Sequence, residues 1–143
     1  IVHSVRLFYE YLRDGRIKID PDKMIEEPVT YQDPCNVSRN GGLWEEGRRI
    51  VSYLVKDFRD MAPNREYNHC CGGGGGVVSN LRAAPLRAKV FELKRRQVDA
   101  TGAKRFVTSC GQCRITLETG ARLAKWDKPV ESLLELVAEN LAD

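Results

Sequence analysis

The chain has little of what marks a membrane span, a nucleic-acid binder or a disulfide scaffold. No stretch of its 143 residues approaches the ~18 to 20 apolar residues a bilayer helix requires, so no transmembrane segment is expected. An excess of one charge is nearly absent: 23 Lys and Arg against 20 Asp and Glu leave +3. That is too small to call for nucleic acid or a membrane surface as partner. Glycine (12) and proline (6) are moderate, with 42% hydrophobic and 30% charged residues, which excludes disordered, collagen-like and low-complexity readings. The chain opens on Ile1 with no initiator Met and no charged-then-apolar signal segment, so it reads as a C-terminal piece of a longer protein. Its length suits one folded unit over residues 1–143 with a core of its own.

Cysteine is also too sparse, at five, and odd in number for a disulfide framework. The five are Cys35, the adjacent Cys70 and Cys71, and the CxxC of Cys110 and Cys113. Adjacent cysteines do not readily bridge each other, and an odd count leaves a thiol over. A reducing, cytoplasmic compartment with the thiols kept for metal or redox chemistry follows.

Between the cysteines the pattern alternates. Val5, Phe8 or Tyr9, and Leu12 share a helical face from His3 to Arg13, ended by Gly15. Residues 17–19 read as a short strand, 21–28 as loop, and Val29 to Gln32 as a buried strand stopped by Asp33-Pro34. Ile50, Leu54 and Phe58, beside Val51 and Val55, predict a helix from Trp44 to Phe58. Glu66 to His69 reads as a short strand leading into Cys70, Cys71 and five glycines. Pro85 opens a long helix with Leu86, Val90, Leu93 and Gln97 or Val98 on one face, stopped by Gly102. Lys104 to Thr108 is a strand, Ser109 an N-cap, and a helix starts at Cys110. A last helix carries Val130, Leu134, Val137 and Leu141.

Strands alternating with helices predict an α/β fold, a parallel-type layered sheet flanked by helices. Each cysteine group follows a predicted strand, and that edge of an open parallel sheet is where ligands bind. Convergence of the three groups on one site is therefore expected.

Three chemistries compete for the thiols. The CxxC at a helix start favours thiolate, and alone it would suit thiol–disulfide exchange, but that leaves three cysteines without purpose. Zinc takes four ligands and leaves the fifth idle, although sulfur sites accept it readily as a substitute. An iron–sulfur cluster fits best, because several irons need several thiolates and neighbouring cysteines can serve different irons. Glycines 72–76, Gly72 and Gly73 first, would let the backbone approach such a cluster and turn its N–H groups toward sulfur. The same loop lacks the Lys-Ser or Lys-Thr of a P-loop and fails the GxGxxG pattern. A flexible turn is its bland reading.

Val29-Thr-Tyr-Gln-Asp-Pro-Cys35, Asn68-His-Cys-Cys-Gly-Gly-Gly-Gly-Gly76 and Ser109-Cys-Gly-Gln-Cys113 together resemble one repeat of the cysteine-rich CCG family of heterodisulfide-reductase-like proteins. Thirty-four residues separate Cys35 from Cys70, and thirty-seven separate Gly72 from Cys110. The motif lies within residues 29–113 and the likeness covers most of the chain. It implies a noncubane [4Fe-4S] cluster on Cys35, Cys70, Cys71, Cys110 and Cys113, and reduction or formation of a disulfide there. It also implies other subunits of an electron-transfer complex as partners, a disulfide or thiol as substrate, and a place at the periphery of a membrane complex.

Other residues carry weaker signals. His69, before the cysteine pair, is a candidate acid for a leaving thiolate, with a hydrogen bond within its loop as the plainer role. His3 reads as a surface or packing residue. Arg39 and Arg114, near cysteines, can offset cluster charge or bind an anion. The basic stretch from Lys89 to Arg96 reads as a solvated helix face, and Trp44 and Trp126 as anchors of the core or an interface.

Overall fold

In a computed structural model the chain is described over residues 1–142. Helix α1 (Ser4–Arg13) starts where His3 Nδ1 accepts the Val5 amide, and it buries Val5 and Leu12. Strand β1 (Val29–Gln32) is buried at all four positions, as its unbroken run suggested. Helix α2 (Trp44–Leu54) carries Glu45 and Glu46 in its first turn, where the helix dipole favours them. Helix α3 (Ala84–Thr101) has Pro85 in its first turn and stops at Gly102. Strand β2 (Arg105–Thr108), helix α4 (Gly111–Leu123), strand β3 (Val130–Ser132) and helix α5 (Leu133–Glu139) complete the order.

The three strands are parallel in the order β1-β2-β3. Gln32 lies opposite Thr108, and Thr108 opposite Ser132, so the carboxyl ends of all three strands reach one edge. On one face of the sheet Val29, Tyr31 and Val107 pack with α1, α2 and α5 through Val5, Ile50, Leu54, Leu133 and Val137. On the other, Phe106 packs with Phe91, Val98 and Leu117 of α3 and α4. The predicted layered α/β architecture is thus present as three layers.

Several local expectations need correction. Residues 17–19 form no strand; Ile19 makes a single antiparallel bridge to Leu141. Helix α2 ends at Leu54, and the following chain lies extended along β1, bridging Ile25 to Val55 and Val29 to Phe58. Spacings of four from Ile50 to Phe58 suit a helix, but the open edge of β1 needed hydrogen-bond partners. Residues 65–67 are a 3-10 turn, so Cys70 and Cys71 follow a turn and no strand. Val130 belongs to β3, with α5 beginning at Leu133 under a Ser132 cap. In α3 the buried residues are Phe91, Lys94 and Val98, while Leu86 and Leu93 are exposed. Lys94 therefore departs from the solvated face expected of its stretch.

Two glycines explain close element contacts. A Cβ on Gly47 of α2 would meet the Tyr31 hydroxyl at 2.4 Å, and one on Gly120 of α4 would meet the Phe91 ring at 2.3 Å.

Candidate functional site

Each cysteine group is delivered by a different element. Cys35 follows β1 and opens a five-residue π-helical turn, Asn36–Asn40. Cys110 follows β2 as the N-cap of α4, and Cys113 lies in the first turn of that helix. The expected cap, Ser109, instead has its hydroxyl 2.7 Å from the buried Tyr31 hydroxyl. Cys70 and Cys71 arrive on the loop that runs into the glycines. Cys71 and Cys113 are buried, and Cys35, Cys70 and Cys110 are half-buried.

The loop holding the pair is tied to the end of β1 by polar residues, of which Gln32, Asp33 and Asn68 lie in the quoted motifs while Arg48 carried no sequence signal. Asn68, buried, donates to the Asp33 carbonyl at 2.7 Å and to Ser38 Oγ at 2.9 Å. Gln32 Nε2 donates to the Asp33 carbonyl at 2.8 Å and the His69 carbonyl at 3.3 Å. Arg48 of α2 makes a bidentate pair with Asp33, 2.7 Å at each oxygen, and also holds Asp60. Asp33 Oδ2 further accepts the Arg65 amide at 2.7 Å. Patterns of periodicity and spacing do not reveal such long-range polar pairs.

The five thiols form one connected string. Cys35 interacts with Cys70, Cys70 with Cys71, Cys71 with Cys113, and Cys113 with Cys110. Their proton affinities separate accordingly. Cys113 keeps its proton, since its single S–H lies between Cys110 and Cys71 and is buried, all of which raise it. The Cys110 thiol is pulled down to about 5 by the hydrogen bond from Cys113, against burial, with the amides of Cys113 and Gln112 helping. Cys71 falls to about 6, first through Cys113, against burial, with the Gly73 amide helping. Burial raises Cys35, and the charge of Cys70 adds to it.

The glycine loop has two parts. Gly72 donates its amide to Cys70 Sγ at 3.3 Å. A Cβ on Gly73 would lie 2.0 Å from Thr116 Oγ1 of α4, so no larger residue can bring the loop this close to the helix. At Gly74, Gly75 and Gly76 a Cβ would meet open space.

The remaining candidates have local roles. The ring of His69 pairs through Nδ1 with Gln97 Nε2 at 3.1 Å. Arg39 donates to the carbonyls of Glu66 and Asn68, and Arg114 pairs with Glu118 and Glu135. His3 caps α1 at the surface. Trp126 packs edge-on against Phe91 and Phe106, whereas Trp44 is only half-buried. Burial pulls the Lys94 ammonium down to about 8, opposed first by the charge of Asp33 and then by the nearby cysteine sulfurs. Among the described residues no three His, Cys, Asp or Glu side chains are grouped to hold a metal ion.

The chain matches the cysteine-rich CCG domain over residues 29–118 and belongs to that family. Over 143 residues it is 34% identical to a subunit of the dihydromethanophenazine:CoB–CoM heterodisulfide reductase of Methanosarcina mazei, covering 99% of this chain and 34% of that protein. It is 30% identical over 115 residues to an Hdr-like menaquinol oxidoreductase iron-sulfur subunit of Archaeoglobus profundus, covering 76% of this chain and 20% of the other. An EtfAB:quinone oxidoreductase of Syntrophomonas wolfei is 22% identical over 130 residues, 87% of this chain and 18% of that one. The chain thus spans about a third or less of the length of these relatives. No solved structure matches.

Proposed function

We propose that the chain is the iron–sulfur domain of a heterodisulfide-reductase-like oxidoreductase. Cys35, Cys70, Cys71, Cys110 and Cys113 would together hold a noncubane [4Fe-4S] cluster at which a disulfide is reduced or a thiol pair oxidised. The observation that carries this reading is that five cysteines from three distant segments form one connected string of thiols. The donor set fits such a group: all sulfur, more ligands than one ion needs, and glycine amides facing two of the sulfurs. The relatives, named as reductase and iron-sulfur subunits, support the same class.

When bound, the cluster supplies one-electron redox chemistry for interconverting a disulfide and two thiols. The chain's residues prepare for it. Cys71 and Cys110 are already close to the thiolate form that metal binding requires, whereas Cys113 and Cys35 release protons on loading. Gly72 and Gly73 direct backbone N–H groups at Cys70 and Cys71. Gln97 holds the His69 ring at Nδ1, and as imidazolium that ring would be the acid for a departing thiolate. The partners are other subunits of an electron-transfer complex. No helix among the described residues is long and apolar enough to cross a membrane, and a cytoplasmic place on the periphery of a membrane complex suits the relatives' names.

Zinc held as a structural module is the second reading, favoured by the all-thiol donor set. Anaerobic reconstitution with iron and sulfide, followed by metal and sulfide analysis and EPR, separates the two. A brown protein with about four irons and four sulfides per chain is expected. Recovery of at most one metal and no sulfide overturns the proposal.

A further inference from the structure

Among the described residues three charged side chains are buried, Asp33, Arg48 and Lys94. Asp33 and Arg48 neutralise each other, with Asp60 beside them. Lys94 stands apart. It is 1% exposed, and its ammonium makes one hydrogen bond, to Met61 Sδ at 3.8 Å. A thioether offers no charge and only weak acceptance. Lysine is almost never this deeply buried without a partner, because its flexible stem ordinarily carries the ammonium out to water. Here it does not, although neighbouring Arg95 and Arg96 lie at the surface, paired with Glu92.

The surroundings identify what the charge faces. Met61 belongs to the apolar cluster that also contains Cys71 and Cys113. The acidic groups close enough to act on Lys94 are Asp33 and the thiols Cys113, Cys71 and Cys70. Asp33 is already satisfied by Arg48 and the Arg65 amide. The sulfurs remain.

We propose that Lys94 is the internal counter-charge of the five-cysteine site, a positioning residue that favours the reduced, more negative state of the cluster its sulfurs would hold. A fixed positive charge in a poorly screened interior lowers the energy of nearby anions, and next to a cluster it raises the reduction potential. This inference rests on the function proposed above.

The test uses the whole chain and the variants Lys94→Met, Lys94→Gln and Lys94→Arg, with folding checked by thermal melting. Methionine and glutamine remove the charge with little change in length, so one of them should fold even if the other does not. In the iron- and sulfide-loaded protein, an EPR-monitored redox titration should give a lower midpoint potential for the neutral variants than for wild type and Lys94→Arg. An unchanged potential in the neutral variants overturns the proposal. An arginine variant displaced as far as methionine also overturns it, because packing and not charge would then be responsible. If the wild type takes up no iron and sulfide, the cluster reading fails and this inference falls with it, whereas a loaded protein with an unmoved potential overturns this inference alone.

Discussion

Gly73 has the tightest position around the thiols. Its amide serves Cys71 while the site of its missing side chain is filled by Thr116 of α4. Gly73→Ala should destabilise the protein by about 1–3 kcal/mol, the usual range for overpacking, because the new methyl lies 2.0 Å from Thr116 Oγ1. Thr116→Ala in the same chain should return part of that loss. A double-mutant cycle by urea unfolding measures the effect, and purely additive changes would show that the contact does not limit the loop. The five cysteines themselves were legible as a set, since an odd, scattered group leaves metal or redox chemistry as its use. Lys94 was not legible. In the sequence it is one lysine in a basic helical stretch, and only the rotation of α3 turns it inward.

Among the elements, α2 does more than cover the sheet. Through Arg48 it anchors the carboxyl end of β1, where Cys35 begins, and through Asp33 the turn that leads to Cys70 and Cys71. Arg48→Met should cost about 3–5 kcal/mol, because it leaves the Asp33 carboxylate buried without its cation. Asp60→Ala should cost clearly less, since Arg48 keeps its pair with the buried Asp33 and the carboxylate removed is 26% exposed. Chemical denaturation of both variants checks the order, and equal losses would assign the anchoring to Asp60. Element types were mostly readable from periodicity and from Gly and Pro. Boundaries failed where an edge strand recruited residues 55–59 and where Val130, spaced to suit a helix, paired with β2 instead. In both places backbone hydrogen bonding across the fold outweighed local side-chain spacing.

At the scale of the whole molecule, the unequal proton affinities of the thiols make stability depend on pH. Cys110 at about 5 and Cys71 at about 6 lie below the unfolded thiol value of about 8.5. Their contribution is therefore complete above the unfolded value and lost as pH falls through the folded values. Between about pH 5 and 8 the unfolded chain binds more protons at these two sites, so the reduced, metal-free protein should become more stable as pH rises. Cys113 and Cys35, both raised, act in the opposite sense only above about 8.5, where the unfolded chain releases protons they retain. Urea midpoints at stepped pH test this. A profile that stays flat, or one unchanged in a Cys71→Ala/Cys110→Ala protein, would sink the assignment.

The primary structure alone determined the class of fold and singled out the candidate donors, because both follow from short-range features: strand–helix alternation, helix stops, and five thiols too scattered for a disulfide framework. It also set the family match, through the order and spacing of those cysteines. Only the tertiary structure decided which sulfurs touch, which of them keep their protons, and that Asp33, Arg48, Asn68 and Lys94 surround or support them. Those properties depend on burial and on distances between residues far apart in the chain, which arise only when the β-sheet edge, the α4 N-terminus and the glycine loop are packed together.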